Sequence, residues 1–80
     1  MREFEIRLRS VQDVQEFVAL ATEQTFPVLA GTEGYRVSGK CFMEMFCLDF
    51  TRPMFAYADC TEAEFVKFCK AAAKFLVANE

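Results

Sequence analysis

The period of the hydrophobic pattern changes at Ser10, and this change constrains the fold more than any other feature of the chain. Before it, Phe4, Ile6 and Leu8 alternate with Glu3, Glu5 and Arg7, the period of two that a half-buried strand requires. After it, Val11, Val14, Phe17, Val18 and Ala21 recur at helical spacing, with Gln12, Asp13, Gln15, Glu16 and Glu23 opposite them. Ser10 suits the N-cap of that helix because its hydroxyl can accept an amide hydrogen of the first turn. Asp13, three residues on, meets the positive helix end favourably. The helix is expected over 11–24, ending before Thr25-Phe26-Pro27.

Further along, Phe26 to Ala30 and Tyr35 to Ser38 flank Gly31-Thr32-Glu33-Gly34, which predicts a hairpin with strands at 26–31 and 35–38. The run Cys41-Phe42-Met43-Glu44-Met45-Phe46-Cys47-Leu48 is too short for periodicity to separate a buried strand from a helix. Its unbranched Met, Glu and Leu favour a short helix at 42–48. Asp49 to Pro53, with the charged pair Asp49 and Arg52, reads as a connection, and Met54 to Cys60 as a strand in which Phe55 and Tyr57 alternate with Ala56 and Ala58. Thr61-x-x-Glu64 is a capping box that opens a last helix over 62–77, with Phe65, Cys69, Ala72 and Leu76 as the inner stripe, joined by Phe68, Ala73 and Phe75. The resulting order is β-α-β-β-α-β-α in one α+β domain spanning 1–80, and a ferredoxin-like domain is the other α+β fold considered.

Composition removes several function classes. A net charge of −3 with scattered Lys and Arg gives no basic footprint, so no nucleic-acid partner is expected. The apolar stretches fall far short of the roughly 20 residues a spanning helix needs, so no membrane insertion is expected. Met1-Arg2-Glu3 runs straight into strand-like residues, which points to a cytoplasmic location. Cys41, Cys47, Cys60 and Cys69 form no C-x-x-C pair and no histidine accompanies them, so neither a metal nor a cofactor is expected. They read as small apolar groups. Without histidine or a glycine-rich phosphate loop, the chain is not expected to be an enzyme.

The element order and two local segments carry a resemblance. Gly39-Lys40-Cys41-Phe42-Met43-Glu44-Met45-Phe46-Cys47-Leu48-Asp49-Phe50 resembles the segment of a lysine, a regulatory serine, two bulky apolar residues and a short apolar helix found in the HPr family of histidine-containing phosphocarrier proteins. Phe17-Val18 resembles an apolar pair of that family's first helix. The resemblance implies a two-layer open-faced sandwich, with a four-stranded antiparallel sheet covered on one face by three helices. It also implies a place near the bacterial sugar phosphotransferase system, whose carrier takes phosphate on the histidine of a His-x-Arg-Pro run.

Those functional positions differ here. In register with Phe17, Ser10 stands at the histidine, Gln12 at the arginine and Asp13 at the proline, while Cys41 stands at the regulatory serine. The nucleophile is gone, the cationic clamp is neutral, and an acid stands where a phosphate would dock. The phosphate site is thus degenerate. Ser10 reads first as a helix cap, with phosphoacceptor as the other reading; Cys41 reads first as a cap or filler, with a redox-sensing thiolate as the other. The expected function is a non-catalytic interaction or regulatory module, the alternative being a phosphocarrier that uses another acceptor. The resemblance implies a protein partner, of the phosphotransferase or a regulatory kind. Phe42, Met43 and Phe46 read first as core, with a docking patch rimmed by Ser10, Gln12 and Glu44 as the other reading; such a patch could also include a homodimer contact. At least one of Phe42 and Met43 is expected to face solvent, because a two-turn helix cannot bury all its apolar side chains on one face.

Overall fold

A computed structural model of the chain describes residues 2–32, 34–48 and 54–76. The elements run β1 (Arg2–Ile6), α1 (Val11–Thr22), β2 (Val28–Thr32), β3 (Tyr35–Ser38), α2 (Phe42–Met45), β4 (Met54–Ala58) and α3 (Glu62–Ala71), followed by a 3-10 turn at Ala73–Phe75. The four strands form one antiparallel sheet in the order β1-β4-β2-β3. The fold is α+β, with three helices and a four-stranded antiparallel open sheet.

Register and burial together assign the two sheet faces. Phe4 pairs with Ala56, Ala56 with Ala30 and Ala30 with Val37, and these residues, with Ile6, Met54, Val28 and Ala58, belong to the core or pack against it. The core's helical side is Val14, Phe17 and Ala21 of α1 and Phe68 of α3, with Ala72 and Phe75 just beyond. Phe68 holds the layers together: its ring packs against Phe4 at 5.6 Å, Phe26 at 5.8 Å and Phe17 at 6.4 Å. Aromatic pairs at such spacing add to the area they bury. Phe17→Ala would remove a fully buried ring and cost about 3–5 kcal/mol, a large part of the about 5–15 kcal/mol that holds a typical domain.

Several boundaries shift from expectation, each for a local reason. The first strand is shorter, ending at Ile6, although Leu8 is still buried in the core beyond it. The helix α1 stops at Thr22, with Gln24 turning back its side-chain amide onto the Leu20 carbonyl at 3.0 Å. The second strand begins at Val28, since Pro27 has no amide to donate to a ladder. Thr32, expected in the turn, instead pairs with Tyr35, so the hairpin is tighter. The fourth strand ends at Ala58, and the Asp59 amide donates to the Pro27 carbonyl at 3.2 Å.

The short helix α2 covers four residues, and Phe46 and Cys47 complete a turn beyond it. The last helix ends at Ala71 instead of running to 77, because the following chain enters the sheet edge: the Arg7 amide donates to Phe75 at 2.8 Å and Leu76 bridges Ile6. Its buried stripe is accordingly Phe68, Ala72 and Phe75, while Phe65, Cys69 and Leu76 are half-buried and Ala73 is exposed. The expected connection with Asp49 and Arg52, the turn residue Glu33 and the end of the last helix at Val77 lie outside the described residues. Among the described residues, no helix is long and apolar enough to cross a membrane.

Candidate functional site

The start of α1 is closed by its own side chains. Ser10, in extended conformation, accepts the Asp13 amide on Oγ at 3.2 Å, and Asp13 Oδ2 in turn accepts the Arg9 amide at 2.9 Å. One first-turn amide, that of Asp13, is therefore occupied, and a carboxylate already sits at the positive helix end. A phosphate brought there would meet like charge. Ser10 is exposed, and none of the hydrogen bonds to its hydroxyl involves a base that could activate it.

Gln12 is also exposed, and it donates from Nε2 to Glu16 Oε2 at 3.0 Å along the helix surface. Glu16 also accepts from Lys74 Nζ, which ties α1 to the 3-10 turn after α3. The hydrogen bond from Lys74, then that from Gln12, hold the Glu16 carboxyl below the usual carboxylate range, and the same bond holds the Lys74 ammonium above its usual range. The Gln12 side chain thus supports a surface ion pair.

The approach to α2 is fixed by backbone. The Gly39 amide donates to the Val28 carbonyl at 2.8 Å. A Cβ on Gly39 would come within 3.0 Å of Val28 Cγ1 and 3.5 Å of Phe17, so the absent side chain lets the turn sit against the core. Lys40 Nζ donates to the Gln24 carbonyl at 2.9 Å, and Glu44 Oε1 accepts the Ser38 amide at 3.0 Å. These contacts anchor the entry of α2 to the start of β2, to the chain just after α1 and to the end of β3. Cys41 is the N-cap residue of α2 but makes no side-chain capping bond.

From that anchor the short helix divides its apolar residues. Met45 and Leu48, three apart, are buried, while Met43 is 75% exposed and Phe46, three further on, is 39% exposed. Phe42 lies between these extremes: it packs on the core and meets the Phe46 ring at 4.4 Å, edge to face. The three candidate patch residues therefore differ, with Met43 free, Phe46 partly free and Phe42 half committed to the core.

The four cysteines are all free thiols: Cys47 is exposed, and Cys41, Cys60 and Cys69 are half-buried. Burial pushes the Cys60 and Cys69 thiols up, which keeps them protonated at neutral pH. Among the described residues, no three His, Cys, Asp or Glu side chains cluster as a metal site would require. The sequence reading missed the face of the sheet opposite the helices, where Phe55 and Tyr57 stand. The alternation of these large rings with Ala56 and Ala58 marked two unlike faces of the strand, but not which one the helices would cover. No protein-family model matches the chain, and no curated protein matches it.

Proposed function

We propose that the chain is an HPr-like domain that serves as a non-catalytic protein-interaction or regulatory module, docking a protein partner through Phe42, Met43 and Phe46. The observation that carries this reading is the 75% exposure of Met43 on a helix whose buried residues already fill the core. Exposed methionine and phenylalanine side by side favour a partner that covers them, and flexible thioethers adapt to apolar surfaces. Further support comes from the β-α-β-β-α-β-α element order around an antiparallel sheet. Phosphohistidine cannot form on these 80 residues, which include no histidine. The capped start of α1 also favours a structural role for Ser10 over a phosphoacceptor role.

Two measurements test the proposal. Affinity capture with the protein as bait should retain a cellular protein that the Met43→Ser, Phe46→Ser double variant loses at unchanged melting temperature. Retention of every captured protein by the folded double variant would remove the docking patch. Incubation with a phosphoenolpyruvate-driven phosphotransferase should leave the intact mass unchanged, and a stoichiometric gain that depends on Ser10 would favour a phosphocarrier instead.

A further inference from the structure

The strand order β1-β4-β2-β3 leaves β1 and β3 as the two edges of the sheet. An edge strand offers unpaired amides and carbonyls to any other strand, and chains that stay apart blunt that offer. At β1 the chain's own continuation does so: the Arg7 amide donates to the Phe75 carbonyl, and Leu76 bridges Ile6.

On β3 the register settles which backbone groups face outward. The Gly39 amide donates to the Val28 carbonyl, one step beyond the Leu29–Ser38 pair. Antiparallel ladders alternate hydrogen-bonded and non-hydrogen-bonded pairs, so Tyr35 and Val37 turn their backbone groups to β2 as Gly39 does. Arg36 and Ser38 turn theirs outward. Ser38 is fully occupied there: its amide donates to Glu44 Oε1 at 3.0 Å, and its carbonyl accepts the Cys41 amide at 3.2 Å. Both partners come from the start of α2. The outward backbone groups of Arg36 bond no described residue. A strand laid along this edge therefore finds one hydrogen-bonding residue, Arg36. With Ser38 released it would find two in succession.

We propose that the first turn of α2 guards the β3 edge, keeping a second copy of the chain from extending the sheet, and that the Glu44 carboxylate is the decisive part of the guard. An incoming strand would have to replace this charged acceptor with a neutral carbonyl, which binds the same amide less strongly. The role is separate from docking through Met43 and Phe46.

Glu44→Ala tests it beside Glu44→Gln, which keeps an acceptor oxygen at similar reach. Glu44 is exposed and alanine favours helix, so α2 is retained in both. In amide hydrogen exchange on dilute wild type, Ser38 should be protected about tenfold more than Arg36, a difference lost in Glu44→Ala and largely kept in Glu44→Gln. Sedimentation velocity should show Glu44→Ala associating at about a tenth of the concentration that wild type needs, with Glu44→Gln close to wild type. Equal protection of Ser38 and Arg36 in wild type overturns the proposal. So does a Glu44→Ala protein that frees the Ser38 amide yet associates no more than wild type. Adding Met43→Ser and Phe46→Ser to Glu44→Ala should leave the new association intact. Its disappearance would assign the association to the α2 patch, which overturns the guard while sparing the proposed function.

Discussion

Arg36 on β3 and Tyr57 on β4 are separated by the whole width of β2, yet the Arg36 guanidinium carbon lies 3.9 Å from the Tyr57 ring centroid. The long arginine stem therefore spans β2, whose Leu29 and Gly31 lie in register between the two strands. A cation over an aromatic face is worth about 0.5–1 kcal/mol at an exposed site, and the arginine also shields the ring from water.

Arg36→Ala should therefore lower stability by about 0.5–1 kcal/mol in urea denaturation and uncover Tyr57. The chain has two tyrosines and no tryptophan, so tyrosine emission reports the change directly. Acrylamide quenching should rise in the variant. Unchanged quenching would mean that the guanidinium does not shield the ring in solution.

At the start of α1, Ser10→Ala should cost about 0.5–2 kcal/mol, the range for a lost N-cap. Ser10→Asp should retain most of the stability, since a carboxylate can accept the same Asp13 amide. Chemical denaturation of the three proteins checks the order, and equal stability of wild type and Ser10→Ala would exclude the capping role.

The apolar residues of α2 should separate by mutation. Met43→Ser is expected to change stability by no more than about 0.5 kcal/mol, as for other surface positions. Phe42→Ser should cost about 1–3 kcal/mol, because it removes core packing and the 4.4 Å contact with Phe46. Similar losses at both positions would place Met43 in the core.

The Glu16–Lys74 pair should give a pH signature confined to acid. A depressed carboxyl adds stability above its unfolded value, and this is lost as pH falls through the folded one. At neutral pH Glu16→Gln should melt slightly below wild type, with the two curves converging on acidification through the carboxylate range. High salt should shrink the gap, since both groups are exposed. A gap that persists in acid would assign the effect to packing instead of charge.

Legibility followed the range of the interactions involved. The strand Tyr35–Ser38 was read to the residue, and the alternation of Phe4 and Ile6 identified the buried face of β1. Thr61 and Glu64 were read as a capping box, and the structure holds both of its hydrogen bonds, at 3.2 and 3.0 Å. The last helix was overrun because Ala71, Ala72 and Ala73 all favour helix, while the bond from Arg7 to Phe75 that ends it joins residues far apart in the chain. For α2, composition indicated an excess of apolar side chains but not which would lie outside. The anchors through Gly39, Lys40 and Glu44 decided that Met45 and Leu48 go in and Met43 stays out.

The change of period at Ser10 and the caps at Ser10 and Thr61 were set by residues near each other in the chain, whose preferences act over one helical turn or two strand positions. Which face of β4 received the helices was decided only by tertiary structure. Either side of Met54–Ala58 could be buried by itself, but pairing with Phe4 and Ala30 put Ala56 into the core cluster that Phe17 and Phe68 share. The same pairing sent Phe55 and Tyr57 to the other side and brought Arg36 over Tyr57. Strand register acts across the whole sheet at once, so no local pattern in the chain contains it.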